Sequence, residues 1–219
     1  MLNQNYTQAV VIDGSTLKWE ASPAARVWRK KLERQAAETG RATSVVRYEA
    51  GTRFDTHDHP NGEEIYVLSG VFSDETGDYP AGSYIRNPAG TAHAPFSTGG
   101  CDIFVKLCYF QTGDSQALRV DSNKAGWQQG MDNMQKVLPL HQFNNEVTQL
   151  VALESGARWR PVVPDTGFEA LIISGDIWFE DKRLPATSWI RLPGGERPVF
   201  DVRGDAVKLL VKTGHLPEE

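Results

Sequence analysis

Three histidines and one glutamate stand at spacings that suit a metal ion. His57 and His59 are one residue apart, Glu63 follows four positions later, and His93 comes after a Pro-x-Gly turn. Because side chains alternate between the two faces of a strand, His57 and His59 would project to one side, about 7 Å apart along the backbone. Glu63 shares that parity once the turn at residues 60–62 is passed. We therefore predict metal ligation by His57, His59, Glu63 and His93.

This donor set suits several divalent ions. Three neutral imidazoles and one carboxylate can hold Zn²⁺, Fe²⁺, Mn²⁺, Ni²⁺ or Cu²⁺. The alternative interpretation is that these histidines are solvated turn residues, because a His-x-His pair alone is common. Here the pair is accompanied by a carboxylate, a third histidine and five turn-forming residues, which favours the metal site: Gly51, Gly70, Gly82, Pro88 and Gly90.

Other polar residues fit the site less well. Asp58 and Glu64 have the opposite strand parity and are excluded as direct ligands. His141 and His215 lack partners at ligand spacing, so we predict that both are surface or capping residues.

Short β-rich runs must supply the scaffold for these residues. Apolar and β-branched residues dominate 43–48, 64–68, 83–87 and 103–110, with Gly, Pro, Asn or Asp between the runs. This spacing predicts an all-β sandwich or barrel and argues against a helical or βαβ design. The segment 26–35 does not discriminate between strand and helix.

The second half of the chain repeats the first with a shift of 105 positions. Gly51 falls on Gly156, and Pro88 falls on Pro193. The ligand positions are not repeated, because they hold Val162, Pro164 and Phe168, with Glu196-Arg197 near the place of His93. We predict two tandem barrels: a metal-binding barrel over residues 1–112, a linker over 113–135, and a barrel without metal ligands over 136–219.

Composition excludes several classes of function. With 219 residues, 40% of them hydrophobic and 23% charged, the chain has the composition of a globular protein that can bury a sizeable core. A net charge of −5 gives no basic surface for direct nucleic-acid binding. No run of about 18 apolar residues suggests a membrane span, and no signal peptide is evident, so we expect a cytoplasmic protein. Cys101 and Cys108 are expected to be free, buried thiols.

These motifs resemble the cupin superfamily, whose fold is a double-stranded β-helix, or jelly-roll, barrel. The first cupin motif is matched by Gly51, His57, His59, Glu63 and Gly70, and the second by Gly82, Pro88, Gly90 and His93. Ser97 stands where the family usually has an asparagine that is not a ligand. More narrowly, residues 19–112 are similar to the cupin domain of ChrR-type anti-sigma factors, and the remainder is similar to a degenerate second cupin. The resemblance thus implies a bicupin.

The resemblance to ChrR implies a regulatory function. In such proteins this domain binds zinc and controls the release of a sigma factor under oxidative stress. Zinc is therefore the implied ion, with iron, manganese or nickel as alternatives, and a regulatory protein is the implied partner in transcription control. ChrR-type proteins hold their sigma factor with a separate N-terminal helical zinc domain carrying a Cys-x-x-Cys pair. This chain has no such pair.

Two further hypotheses compete with the regulatory one. Many cupins hold Fe²⁺ with three histidines and a carboxylate, so the chain is alternatively a metal-dependent dioxygenase acting on a small organic substrate. Third, a closed four-ligand zinc site would only stabilise the barrel. The partners considered are a small-molecule ligand in the first barrel and a second copy of the chain. Sequence assigns no catalytic residue, and the candidates for shaping a pocket are Arg47, Tyr48, Arg53, Asp55 and Phe104.

Overall fold

The computed structural model describes residues 1–36 and 39–217. The last two positions of the predicted second barrel, 218 and 219, lie outside the described residues. Strands joined by turns and bends make up the described chain, which contains no helix. The predicted all-β class is therefore confirmed. In these described ranges no helix is long and apolar enough to cross a membrane.

The strands are short and follow one another closely along the chain. In the first part they are β1 (Val10–Ile12), β2 (Glu20–Ala21), β3 (Val27–Arg34), β4 (Ala42–Tyr48), β5 (Thr52–Arg53), β6 (His57–Asp58), β7 (Glu63–Asp74), β8 (Gly77–Pro80), β9 (Ser83–Asn87), β10 (Ala92–His93), β11 (Phe96–Ser97), β12 (Cys101–Leu107) and β13 (Leu118–Asp121). The second part contains β14 (Gln128–Gln129), β15 (Gln135–Phe143), β16 (Glu146–Leu153), β17 (Arg158–Trp159), β18 (Phe168–Ser174), β19 (Ile177–Phe179), β20 (Lys182–Leu184), β21 (Trp189–Leu192), β22 (Phe200–Asp201) and β23 (Val207–Thr213).

The chain forms two compact units that use the same strand order. The first unit comprises residues 1–4 and 18–125, and the second comprises 5–17 and 126–219. The main sheet of the first unit runs β13-β9-β7-β12-β4-β3-β2, and that of the second runs β1-β21-β18-β23-β16-β15-β14. Strands at the same place in the two orders are related by the sequence repeat or by their position in the topology. The duplication seen in the sequence is therefore a duplication of the barrel.

The boundaries of the two units differ from the predicted ones. The segment 113–135 is not a simple linker, because β13 pairs antiparallel with β9 in the first unit and β14 pairs with β15 in the second. Residues 5–17 were expected in the first barrel, but β1 pairs with β21 and places them in the second unit. Backbone pairing with strands of each unit decides both assignments.

Each barrel interior is filled by the inward-facing residues of its strands. In the first unit the buried cluster contains Val46, Ile65, Val67, Ile103 and Val105, which alternate with outward-facing residues along β4, β7 and β12. Cys101 lies in β12 and Cys108 lies just beyond its end, and both thiols are free.

A glycine permits the bend in the long strand β7. Gly70 has φ of +70°, and a Cβ there would lie 2.1 Å from the carbonyl oxygen of Gly100. The register between β7 and β12 shifts next to it, between Asp102 and Ile103. Only glycine accommodates both this backbone conformation and this close approach.

Candidate metal site

Two short paired strands bring the histidines together. In β6 and β10 His57 lies directly opposite His93, and the pairing continues through the backbone N–H of His59, which donates to the carbonyl oxygen of Thr91 at 2.9 Å. The ring centroids of His57 and His59 are 5.3 Å apart, those of His57 and His93 are 5.0 Å apart, and those of His59 and His93 are 4.6 Å apart. The three imidazoles therefore surround one point.

Glu63 completes this group from a third strand. It is the first residue of β7 and follows Gly62, whose φ of +78° turns the chain between the histidine strand and β7. Its Oε2 atom lies 3.3 Å from His59 Nε2 and 3.4 Å from His93 Nε2. One atom from each of the four side chains lies within 4.8 Å of the others. We call His57, His59, Glu63 and His93 the candidate metal site.

These separations fit a transition-metal ion. Metal–nitrogen and metal–oxygen bonds of about 2.0–2.2 Å at angles between octahedral and tetrahedral values place donor atoms roughly 3.0–3.5 Å apart. The carboxylate–imidazole distances of 3.3 and 3.4 Å lie in that range. The side chains present can therefore hold an ion without large movement.

The outer ring nitrogen of His59 is engaged in a way that defines its tautomer. Its Nδ1 atom lies 3.0 Å from Thr91 Oγ1, and the Thr91 hydroxyl donates to the carbonyl oxygen of Pro88 at 2.7 Å. Because the single hydroxyl proton is used there, Thr91 accepts from His59, which must carry its proton on Nδ1. The Nε2 lone pair is then directed at the centre of the site.

The other two histidines are held in the same tautomer. His57 Nδ1 lies 3.2 Å from the carbonyl oxygen of Asp55, and His93 Nδ1 lies 3.4 Å from Asp74 Oδ2. The carbonyl oxygen of Asp55 can only accept, and so can the Asp74 carboxyl group when it is ionised. Each Nδ1 atom therefore donates. Such outer contacts orient metal-binding histidines in many proteins.

Two ring nitrogens are buried without a satisfied hydrogen bond. His59 Nε2 and His93 Nε2 find no hydrogen-bond partner within the described residues, although Glu63 lies close to both. Buried polar atoms normally have a hydrogen-bond partner, so two neighbouring ring nitrogens without one require an explanation. A bound cation would satisfy both, so the residues fit a metal ion.

The electrostatic environment favours the protonation states that a metal requires. Burial is the main cause that lowers the pKa of His59. The charge of Glu63 raises this pKa, whereas the charges of His93 and His57 lower it further. Burial raises the pKa of Asp74, but hydrogen bonds from Thr76 and from His93 outweigh it, and the net shift is downward. At neutral pH His59 is thus neutral and Asp74 ionised.

A cavity of about 670 Å³ adjoins the candidate metal site. His57, His59 and Glu63 form part of its lining, and Ser44 lies in the wall with its hydroxyl oxygen buried and without a hydrogen-bond partner in the described chain. The remaining wall is largely apolar and includes Val27, Val46, Phe54, Ile103, Val105 and Leu107. Arg29, Arg34 and Asn61 also line the cavity. A small organic molecule with an apolar body and polar or anionic groups would match this lining.

Among the residues predicted to shape a pocket, the structure places two in the cavity wall. Tyr48 and Asp55 line it. Arg47 is exposed and forms an ion pair of 2.8 Å with Asp102, Arg53 lies over the ring of Phe96, and Phe104 points to the other face of β12. These last three residues do not contribute to the cavity.

The prediction that His141 and His215 are surface residues is wrong. Both are buried, at 5% and 7% exposure. Nε2 of His215 lies 3.0 Å from Glu169, and His141 packs near Glu146. Spacing along the sequence could not reveal the contact of His215, because Glu169 lies far away in the chain on β18. Glu146 lies five positions after His141, across the hairpin between β15 and β16.

Sequence reasoning also missed the residues that support the candidate metal site. Asn87 Nδ2 donates to Glu63 Oε2 at 3.0 Å, and Arg119 Nη2 donates to Asn87 Oδ1 at 2.7 Å. Asp74 contacts His93 from the far end of β7. Asn87 shares the inward parity of the strand before the Pro-x-Gly turn, which was an available signal. No signal existed for Arg119, which lies in the segment interpreted as a linker.

A comparison with known families identifies the first barrel. The model of the ChrR Cupin-like domain matches residues 7–111, a range that contains all four residues of the candidate metal site. Together with the similarity to a solved cupin 2 barrel protein, this match shows that the chain carries a cupin domain resembling the ChrR type. Among curated proteins, none matches the chain significantly.

Solved structures share the fold over nearly the whole chain. A putative dioxygenase from Nostoc punctiforme has a TM-score of 0.79 at 15% identity, covering 97% of this chain and 85% of that one. A bacterial pirin from Escherichia coli in complex with nickel(II) has a TM-score of 0.72 at 14% identity, covering 95% and 100%. A cupin 2 conserved barrel domain protein from Leptotrichia buccalis has a TM-score of 0.61 at 12% identity, covering 97% and 99%. At these identities the likeness shows the fold alone, and it confirms two cupin barrels.

Proposed function

We propose that this bicupin, whose first barrel resembles the ChrR type, binds one divalent metal ion and acts with it on a small organic molecule in the adjoining cavity. The ligands would be His57, His59, Glu63 and His93. A metal-dependent dioxygenase is the enzyme class that this arrangement supports best, with iron as the ion. The described geometry supports a reactive site more than a purely structural one.

One observation carries the proposal: four metal-binding side chains stand together at the wall of a large cavity. Nε2 atoms of three histidines and a carboxylate oxygen converge on one point, and three of these residues also line the cavity of about 670 Å³. An ion that prefers six ligands would keep two positions for other molecules. When bound, such an ion supplies Lewis-acid and redox chemistry to what enters the cavity. A closed structural zinc site would not require an adjoining cavity.

The lining indicates which molecules fit. Valine, isoleucine and leucine side chains would contact an apolar body, and the buried hydroxyl of Ser44 would offer one hydrogen bond. Tyr48 also lines the cavity, and burial together with the charge of Glu63 raises its pKa, so its hydroxyl stays protonated. It can therefore donate a hydrogen bond to an anionic or carbonyl oxygen.

The test measures metal content and open coordination positions. The full chain, stripped of metal and titrated with Co²⁺, should bind one equivalent, and azide should then change the visible absorption of the loaded protein. The Fe²⁺-loaded form should consume oxygen with at least one member of a panel of small apolar ketones, enols and phenols. A four-coordinate ion that accepts no azide would contradict the proposal and favour a structural site.

A regulatory role is the second candidate, and the family match over residues 7–111 favours it. In that case the metal, with zinc as the implied ion, and the cavity would sense a small molecule or oxidant and alter contacts with a regulatory protein such as a sigma factor. Affinity capture from the host with metal-loaded and metal-free bait would test this. Metal-dependent recovery of a sigma or anti-sigma protein supports regulation, and oxygen uptake without any such partner supports the enzyme.

A further inference from the structure

Arg119 connects two opposite sides of the candidate metal site through hydrogen bonds. It lies on β13, the strand at the edge of the first main sheet next to β9. We infer that Arg119 is a positioning residue, which orients both Glu63 and His93 without touching either. This inference deepens the proposed function and rests on metal binding at these residues.

The guanidinium group of Arg119 uses each of its nitrogens. Nε donates to the hydroxyl of Tyr79 at 3.1 Å, and Nη2 donates to Asn87 Oδ1 at 2.7 Å. Nη1 donates to the carbonyl oxygens of Arg86 and Leu118, both at 2.9 Å. Four of the five N–H groups are therefore engaged, which fixes the plane of the group.

One branch leads from Arg119 to Glu63. An asparagine amide can rotate to exchange its oxygen and nitrogen, so its orientation depends on its partners. Arg119 can only donate, and its contact with Oδ1 of Asn87 directs Nδ2 to Glu63 Oε2 at 3.0 Å. Loss of the arginine would allow the amide to turn its oxygen towards the carboxylate, which would repel it.

The other branch leads from Arg119 to His93. Thr76 Oγ1 donates its only proton to Asp74 Oδ1 at 2.6 Å, so the contact of 2.5 Å between Thr76 and Tyr79 has the tyrosine as donor. The tyrosine oxygen in turn accepts from Arg119. A directed chain thus runs from Arg119 through Tyr79 and Thr76 to Asp74, which accepts from His93 Nδ1.

At the equivalent positions, the second barrel lacks both the candidate ligands and this hydrogen-bond network. There β1 takes the place of β13, and Val11 opposite Ile190 corresponds to Arg119 opposite Ile85. Four more positions of the network are apolar and belong to the core of that barrel: Phe168 for Glu63, Phe179 for Asp74, Leu184 for Tyr79 and Leu192 for Asn87. Thr76 corresponds to Asp181, which is exposed. The barrel scaffold therefore does not require an arginine here, and its role belongs to the candidate metal site.

The experiment compares three variants of the full chain by Co²⁺ titration and visible spectroscopy. Arg119→Met should weaken Co²⁺ binding about 10-fold and alter the ligand-field bands. This is the lower end of the roughly 10- to 100-fold effect of losing a residue that contacts a ligand directly, because Arg119 acts through Asn87 and Tyr79. Arg119→Lys should restore only part of the affinity, because one ammonium cannot serve both branches. Val120→Ala on the same strand is the matched control and should leave affinity and spectrum unchanged.

A metal-free readout separates this inference from the proposed function. In the metal-free protein the side-chain amide signal of Asn87 should shift in Arg119→Met and keep its position in Val120→Ala. Wild-type protein that binds no Co²⁺ would refute the proposed function. Wild-type affinity and spectrum in Arg119→Met, or equal weakening in Val120→Ala, would overturn the role of Arg119 while leaving the proposed function intact.

Discussion

At each of the three histidines, the ring nitrogen that faces away from the candidate metal site is held by an acceptor. The acceptors are a threonine hydroxyl, a backbone carbonyl and a carboxylate. Because these acceptors belong to three different residues, the orientation of the three histidine rings does not depend on one supporting residue. Each ring should keep its orientation without a metal.

Replacement of one ligand should remove the ion. In His57→Ala we expect loss of stoichiometric metal, because the loss of a direct ligand costs more than the roughly 10- to 100-fold effect of an outer contact. The stabilisation by metal, about 2.7 kcal/mol at 100 times the Kd, should disappear. Metal analysis and thermal unfolding with and without added ion would measure both.

The neighbouring residue provides the control for this variant. Asp58 is exposed and has the opposite parity, so Asp58→Ala should retain metal and its stabilising effect. Full metal content in His57→Ala would contradict the ligand assignment.

Acidification should destabilise the metal-free protein through His59. Burial lowers its pKa from the usual value of 6.5, so the folded state binds a proton less readily than the unfolded state. The contribution to stability is fully present above about pH 6.5 and is lost as the pH falls towards the lowered folded value. Urea unfolding at about pH 7.5 and about pH 5.5 should show this loss, and His59→Gln should reduce it. Equal pH dependence in both proteins would disprove the assignment.

The sequence predicted that the candidate ligands would lie together, and for three of them the reason is local spacing. Three of them lie within seven positions, and strand parity relates their directions. Their supporting residues could not be predicted in this way. Asp74, Asn87 and Arg119 reach the site from three different strands, and only the pairing of those strands places them together.

At the scale of elements, the turn before β7 decides where Glu63 stands. Gly62 has φ of +78°, and a Cβ there would lie 2.2 Å from the ring of Phe110. Gly62→Ala should therefore combine backbone strain of about 1–2 kcal/mol with displacement of Phe110, and it should also weaken metal binding. Chemical unfolding and Co²⁺ titration would measure the two effects.

A second glycine separates strain from crowding. Gly90 has φ of +82°, but nothing lies within 4 Å of a Cβ built there. Gly90→Ala should therefore show the backbone cost of about 1–2 kcal/mol alone. If both variants lose the same stability, the contact with Phe110 has no energetic role.

Elements with alternating apolar residues were predictable, and polar edge strands were not. The run Thr43–Tyr48 appears as β4, since its β-branched residues fill the barrel interior. The ambiguous segment 26–35 forms β3, where tertiary pairing with β4 overrides its irregular pattern. In β13 (Leu118–Asp121) Arg119 is exposed and the other residues are only partly buried, so their pattern resembled that of a linker.

At the scale of the whole molecule, the repeat of 105 positions predicted two barrels, but the membership of their edge strands required long-range pairing. Val10, Val11 and Ile12 pair with Arg191, Ile190 and Trp189. No local pattern in a three-residue strand identifies a partner so far away in the chain. The predicted boundaries therefore failed where single edge strands complete each sheet.

The edge strand β1 should matter for the second unit and not for metal binding. Val11 packs against the core of that unit. Val11→Asp should destabilise the protein by about 1–3 kcal/mol, because a carboxylate would be moved towards apolar surroundings. Metal content should remain at the wild-type value. Urea unfolding followed by tryptophan fluorescence, with metal analysis of the same sample, would measure this.

The matched control carries the same change at an exposed site. Val162 is 73% exposed, so Val162→Asp should change stability by no more than about 0.5 kcal/mol. Equal losses in the two variants would show that β1 contributes no packing to the second unit.

The position of β1 in the second unit also has a consequence for synthesis on the ribosome. Residues 10–12 emerge before their partners at 189–191, which are made about 180 residues later. At roughly 5–20 residues per second, this strand waits on the order of 10 to 35 s for its place in a sheet. The first barrel can form during that interval, whereas the main sheet of the second barrel gains its edge strand only after residues 189–191 have been made.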